Sequence, residues 1–248
     1  MLGDKTVSAI LLAGGSSSRM RLNVNKVFLF MKSAQARVLF FPLAALLKNE
    51  YIDEIIIVCR AEDKKDLETM ISHKNFPKKS TKITVGGKHR YDSVYNGLLL
   101  ATGDIALIHD GARPILRQRI ISDCVEAMGD FYGAVASISN VDRLCSVDEN
   151  GLLANNTDFP KNVFLAQTPQ CFHTEIIKEC HEKVLDKSSV KDDSRLLELC
   201  GYDVKMLPGD KMNVKITFPE DMKIVELYIQ NDKEMRELVR LGYILNSA

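Results

Sequence analysis

Glu54-Ile55-Ile56-Ile57-Val58-Cys59 is apolar at every position after the first. A strand with one wet face alternates apolar and polar residues, whereas a strand buried on both faces reads as an unbroken apolar run, as in a parallel sheet covered by helices. Outward from this stretch the same kind of run recurs at Val7 to Ala13, Ile83 to Val85, Ile105 to His109, Ala134 to Ile138 and Val204 to Leu207. Between the runs lie longer amphipathic stretches: Val38 to Leu47, Glu62 to Ser72, Asp92 to Ala101, Arg117 to Met128, Thr174 to Leu185 and Asp193 to Cys200. A last helix starts at Pro219, where a missing N–H costs nothing because the first helical turn leaves it unbonded anyway. The βα alternation predicts a doubly wound α/β fold with a mostly parallel sheet, in a single domain over residues 1–248. From Asn140 to Asn162 the rhythm breaks into polar residues, and turn signals at Glu149-Asn150-Gly151 and Asn155-Asn156 predict a hairpin-like excursion outside the core.

Composition narrows the function. Lys plus Arg and Asp plus Glu number 33 each, so no global basic field exists to hold nucleic acid or an acidic membrane, and any anion site must be local. The six cysteines are scattered, with neither a CxxC pair nor the dense spacing of a disulfide framework, which predicts reduced thiols in the cytoplasm. The apolar run before Gly14 is too short for a signal peptide or a span, and no other stretch approaches the ~20 residues a membrane helix needs.

Four segments carry chemistry. In the first, a strand ends in Ala13-Gly14-Gly15-Ser16-Ser17-Ser18-Arg19-Met20, with a lysine following at Lys26. Two glycines let backbone N–H groups approach phosphate oxygens, and Arg19 and Lys26 place positive charge beside them, so the segment reads as a triphosphate cradle. An ordinary Gly/Ser turn with surface basic residues is the plainer alternative. Neither a Walker A loop nor a GxGxxG dinucleotide fingerprint is present. The second segment, His109-Asp110-Gly111-Ala112-Arg113-Pro114, puts a carboxylate at the C-terminal end of a strand, where doubly wound folds bind ligands; one hard oxygen plus phosphate oxygens suits magnesium. The alternative is that Asp110 caps the loop and pairs with Arg113. The third, Gly86-Gly87-Lys88-His89-Arg90-Tyr91-Asp92-Ser93-Val94-Tyr95-Asn96-Gly97-Leu98, sets glycines and basic residues before a helix N-terminus, a natural anion or base-edge site. The fourth, Asn213-Val214-Lys215-Ile216-Thr217-Phe218-Pro219-Glu220-Asp221, reads as a short apolar strand carrying Lys215, either at a site or snorkelling from the sheet edge.

In chain order AGGSSSRM with Lys26, GGKHRYDSVYNGL, HDGARP, QTPQCF (Gln167 to Phe172) and NVKITFPEDM closely resemble the 2-C-methyl-D-erythritol 4-phosphate cytidylyltransferases, and the related ribitol-5-phosphate cytidylyltransferases share most of these marks. The resemblance runs from about Ser8 to Gln230 and implies a Rossmann-like nucleotidyltransferase fold with a protruding β-arm over 140–162, a homodimer joined through that arm, and CTP and a polyol phosphate as substrates with Mg²⁺. It implies that Ala13, Gly14, Gly15, Gly87, Lys88, Ser93 and Ala112 hold CTP, that Arg19, Lys26 and Lys215 are catalytic around its phosphates, and that Asp110 is the metal ligand. Arg113 and Thr217 would lie on the acceptor side. The acceptor half departs from the methylerythritol pattern: Arg143 stands where a Thr follows Asp in the arm, Pro160 falls near the arm's basic Arg with Lys161 beside it, and Lys191 replaces a Thr before Asp192-Asp193. Arg143 and Lys191 are therefore the candidate acceptor-binding residues. Asn25 stands where a Pro is common before Lys26. The resemblance makes methylerythritol phosphate the first-choice acceptor of CMP, a step of isoprenoid precursor synthesis. Ribitol 5-phosphate or another alditol phosphate as acceptor, a nucleotide-binding protein without transfer activity, and an NAD(P)-linked oxidoreductase, which lacks its glycine fingerprint, are the competing readings.

Overall fold

A computed structural model of the chain describes residues 4–15, 20, 24–32, 34–153 and 162–246. Its main sheet has seven strands: β1 (Val7–Leu12), β4 (Glu54–Cys59), β5 (Ser80–Val85), β6 (Ile105–Asp110), β7 (Gly133–Ser139), β8 (Phe164–His173) and β9 (Val204–Pro208), in spatial order β5-β4-β1-β6-β8-β7-β9. All neighbours run parallel except at β8, which is antiparallel to both β6 and β7. The expectation of a mostly parallel doubly wound sheet is met, and the strand over 54–59, with its apolar run 55–59, is buried throughout. A short hairpin of β2 (Phe30–Met31) and β3 (Ala36–Arg37) lies outside the main sheet.

Strand alternation assigns the two faces. Ala9, Leu11, Ile55, Ile57 and Leu107 pack into one cluster with α1 (Phe40–Lys48), α2 (Lys64–Ser72), α4 (Gln118–Glu126), α7 (Pro219–Asn231) and α8 (Lys233–Asn246). Ile10, Ile56, Val58 and Ile108 pack into a second with α3 (Arg90–Leu98), α5 (Thr174–Lys183) and α6 (Ser194–Leu199). Side chains one residue apart on a strand point to opposite faces, so a continuously apolar strand serves both cores.

Three segments differ from the sequence reading. The last helix from Pro219 is two, α7 and α8, because the backbone is extended at Asp232, whose carboxylate accepts from Met235 N–H at 3.0 Å. β8 carries no local strand signal, since Pro169 and the polar Gln167, Thr168 and Gln170 argue against an internal strand. It is accommodated by a break in pairing: the register with β7 shifts between Val135 and Ser137, opposite the stretch that holds Pro169. The segment around Lys215 is not a strand; residues 213–217 have no ladder and are held through loops instead.

The arm keeps a hairpin character where it is described. Asn140 N–H donates to Val163 O at 2.9 Å, Val147 and Leu153 form an antiparallel bridge, and the tip turns through Gly151 at φ +79° with Asp148 accepting from Asn150 N–H and Leu152 N–H. Pro160 and Lys161 lie outside the described residues.

β1 runs out to β4 and β5 on one side, and the chain then returns to β6 on its other side. The crevice beyond the C-terminal ends of β1 and β6 is therefore the switch point at which open α/β sheets bind ligands. Leu12 and Asp110, the last residues of these strands, are direct register partners. The glycine turn after β1 and the carboxylate ending β6 are thereby brought side by side.

Candidate functional site

A cavity of ≈ 430 Å³ opens at this switch point, within the size range of small-molecule sites. Its wall combines Gly14 and Gly15 after β1, Lys26, the Gly87 to Ser93 loop, Asp110, Ala112 and Lys215. Three of the four chemistry-bearing segments thus meet the fourth across one space.

Asp110 is the electrostatic centre. Its Oδ1 is 3.3 Å from Arg90 Nε, its Oδ2 is 2.7 Å from Lys215 Nζ and 3.9 Å from Arg113 Nε, and its side chain is only 10% exposed. Burial pushes the carboxyl up, but Arg90, Lys215 and Arg113 outweigh it and hold the group well below the usual carboxylate range, so it is an anion at neutral pH. The backbone under it is tied to β8, because Asp110 N–H donates to Thr168 Oγ1 at 3.1 Å. Beside it, His109 Nε2 lies 3.0 Å from Arg113 O and Nδ1 lies 3.1 Å from Thr168 Oγ1. Burial lowers its pKa to about 4, so the ring is neutral. A nitrogen facing a carbonyl must carry the proton; Nε2–H therefore donates to Arg113, and the Thr168 hydroxyl donates to Nδ1. This chain of bonds locks the HDGARP turn.

Lys215 reaches the cavity by loop contacts rather than by a strand. Ile216 N–H donates to Ala112 O at 2.8 Å, Arg113 Nη1 donates to Asn213 O at 2.7 Å, and Asn213 Nδ2 donates to Thr168 O at 2.8 Å. Arg113 accordingly lies behind Asp110, fixing the 213–217 segment. Thr217 donates its hydroxyl to Lys215 O, and its N–H to Asp221 in the first turn of α7.

The glycine loop before α3 needs its glycines. A Cβ on Gly87 would fall 2.3 Å from Asp92 Cβ, and one on Gly86 would fall 2.7 Å from Ser93 Oγ. Ser93 shapes the loop by accepting from Gly87 N–H and donating to His89 O, each at 3.1 Å, while Asp92 accepts from His89 N–H at 2.9 Å.

Of the residues singled out in the sequence, Gly14, Gly15, Lys26, Gly87, Lys88, Ser93, Asp110, Ala112 and Lys215 line this cavity. Ala13 is buried just before it, donating its N–H to Val58 O at 2.7 Å. Arg19 lies outside the described residues. Arg143, on the arm, and Lys191, before α6, are exposed and, with Arg113 and Thr217, are not among the residues that line it. Two cations that sequence reasoning left without a role do line it: Arg60 and Arg90. Arg90 donates from Nη1 to Asp193 Oδ1 at 2.9 Å as well as facing Asp110, and Asp193 is fully buried. The available signal was an arginine inside a quoted glycine-rich motif; its partner stands 103 residues away and is not recognisable locally.

Glycine turns, converging lysines and an ionised carboxylate at the switch point define an enzyme of the nucleotidyltransferase class. The family model described as IspD, 2-C-methyl-D-erythritol 4-phosphate cytidylyltransferase, matches residues 7–231. The chain is 36% identical over 227 residues to the 2-C-methyl-D-erythritol 4-phosphate cytidylyltransferase of Caldanaerobacter subterraneus subsp. tengcongensis, covering 90% of this chain and 99% of that one. It is 37% identical over 226 residues to the enzyme of the same name from Clostridium botulinum strain 657, covering 90% and 97%. Among solved structures it is similar to the 4-diphosphocytidyl-2C-methyl-D-erythritol synthase of Anaerococcus prevotii, with a TM-score of 0.77, 27% identity, and coverage of 92% and 97%. This chain belongs to the 2-C-methyl-D-erythritol 4-phosphate cytidylyltransferase family.

Proposed function

We propose that this chain transfers CMP from CTP to the phosphate of 2-C-methyl-D-erythritol 4-phosphate, releasing pyrophosphate, in the cytoplasm and as one step of isoprenoid precursor synthesis. The observation that carries the reading is the convergence of Lys26, Lys215 and Asp110 with both glycine turns on one cavity. An oxygen of the acceptor phosphate attacks the α-phosphorus of CTP, and the bond from that phosphorus to the bridging α–β oxygen breaks. An ionised phosphate needs no general base, so the protein's contribution is alignment and charge stabilisation. Gly14 and Gly15 offer backbone N–H groups to the phosphates, Arg19, Lys26 and Lys215 meet the charge that develops around the α-phosphorus, and the loop of Gly87, Lys88 and Ser93 reads the base.

The donor chemistry at Asp110 fits a magnesium ion. It is a hard anionic oxygen at the cavity wall, and the described residues hold no cluster of three or more His, Cys, Asp or Glu that would make an all-protein cage. Magnesium is commonly held by one carboxylate together with substrate phosphate oxygens and water. Bound there, it would neutralise phosphate charge.

On the acceptor side we assign Arg113, Thr217, Arg143 and Lys191. Arg143 would come from the arm of a second subunit, and the arm's exposed apolar residues, Val141, Val147, Leu152 and Leu153, suit a covered surface in a homodimer. No described helix is long and apolar enough to cross a membrane. The test is pyrophosphate release with magnesium, each of CTP, UTP, ATP and GTP, and a panel of polyol phosphates. CTP with methylerythritol phosphate is expected to be the fastest pair; equal rates with UTP overturn the base assignment, and faster turnover of ribitol 5-phosphate overturns the acceptor.

A further inference from the structure

Asn25 occupies the turn that brings Lys26 to the cavity wall. It is 1% exposed, and each of its side-chain polar atoms is used. Nδ2 donates to Ala13 O at 2.6 Å and to Asp63 Oδ2 at 3.0 Å, and Oδ1 accepts from Val27 N–H at 3.4 Å. Its carbonyl accepts from Phe28 N–H at 3.0 Å, closing a single 3₁₀ turn over Lys26–Phe28. Asp63 in turn accepts from Arg60 Nε at 2.8 Å and Nη2 at 3.1 Å, a two-point grip that fixes a guanidinium plane. Arg60 follows β4 directly and lines the same cavity as Lys26. One run of bonds therefore joins the end of β1, the Lys26 turn and the end of β4.

We propose that Asn25 is a positioning residue that acts on the nucleotide through Lys26, with Asp63 as its anchor. The inference rests on the reading that this cavity holds CTP. The physical reason is reach: a lysine is a point charge on a flexible four-carbon stem, so its placement against a phosphate depends on where its Cα is held. Asn25 sets that position from both sides, through Ala13 behind the turn and Val27 ahead of it. Its backbone, at φ −69° and ψ 121°, has the φ to which a proline ring is restricted. Among the described residues nothing accepts from its N–H. The turn itself can therefore be held either by the asparagine's bonds or by a ring.

The experiment measures kcat and KM for CTP and for the acceptor, calorimetric CTP affinity and thermal melting in N25A, N25P and D63A, each also in a K26A background. N25A is expected to lose about tenfold in kcat/KM for CTP, with the acceptor KM within about twofold of wild type, because a small displacement of a charge-stabilising group is costly. N25P recovers most of that loss, and D63A shows the N25A pattern in weaker form. In the K26A background N25A and D63A change CTP affinity no further, since effects that pass through one side chain are not additive. Wild-type CTP kinetics in N25A, an N25P no better than N25A, or an undiminished further loss in the K26A background each overturn the proposal. If N25A does not fold, D63A with and without K26A, both in an R60A background because Asp63 also holds Arg60, decides by the same criterion. A wild-type protein that neither binds nor uses CTP overturns the functional reading instead, and is told apart by that control.

Discussion

Lys215 Nζ stands 2.7 Å from Asp110 Oδ2 across 105 residues of chain. The lysine helps to keep the carboxylate ionised, and the carboxylate holds the lysine at the cavity wall. With Arg90 on the other oxygen, Asp110 orders the cationic half of the site.

Asp110→Asn keeps the shape and removes the charge. Turnover is expected to fall at least about 100-fold, the scale of losing one preorganised electrostatic contact. The protein should melt at a lower temperature but still cooperatively, because Arg90 and Lys215 lose their counter-ion. Steady-state rates at several magnesium concentrations and a melting curve check this. Full activity would remove Asp110 from the site, and a lost transition would show a role in folding alone.

Gly87→Ala places a methyl 2.3 Å from Asp92 Cβ, a contact that backbone movement must relieve. The loop that would read the base shifts with it, so KM for CTP is expected to rise about tenfold, the factor that ~1.4 kcal/mol represents, while KM for the acceptor stays near wild type. Initial-rate measurements with each substrate varied in turn separate the two. An unchanged KM for CTP would place the nucleotide elsewhere.

Arg143→Ala tests the acceptor side. Arginine grips a phosphate through two parallel N–H bonds and lysine as a point charge. The acceptor KM should therefore rise markedly in the alanine variant and be only partly recovered by Arg143→Lys, with KM for CTP unchanged in both. Size-exclusion chromatography must show the variants in the wild-type assembly state. Wild-type acceptor kinetics would return attention to Lys161.

Glu54 is the acid-sensitive point of the core. Burial pushes its carboxyl up, but Lys82, at 2.6 Å, and hydrogen bonds from Ser8 and Thr102 outweigh this and bring it down to about 2. A folded-state pKa below the unfolded value of 4.5 gives stability that is fully present above about pH 4.5 and is lost as pH falls towards 2. With Lys82 partly exposed, the contribution at pH 7 is on the order of 2 kcal/mol. Glu54→Gln should be less stable than wild type in urea melts at pH 7, and the difference should shrink between pH 4.5 and 2. A difference that does not vary with pH would show that packing, not charge, is what Glu54 supplies.

The sequence by itself determined the strands and helices whose signal is local. The runs at 7–13, 54–59 and 105–109 are apolar because both their faces are buried, and that property is written residue by residue. It also placed the glycine turns and Asp110 at strand ends, which is enough to locate the crevice once the strands alternate with helices. Tertiary structure alone decided the rest. β8 carries Pro169 among polar residues and is an internal strand only because β6 and β7 supply antiparallel partners around an irregular register. Val214 and Ile216 flank Lys215 with strand-like alternation, yet contacts to Ala112, Arg113 and Thr168 hold that segment. Arg90 and Asp193, like Asn25 and Asp63, acquire a role only as partners 103 and 38 residues apart. Periodicity records which face of an element is buried, but not which distant charge will stand opposite a given side chain, and the site consists mainly of such distant pairs.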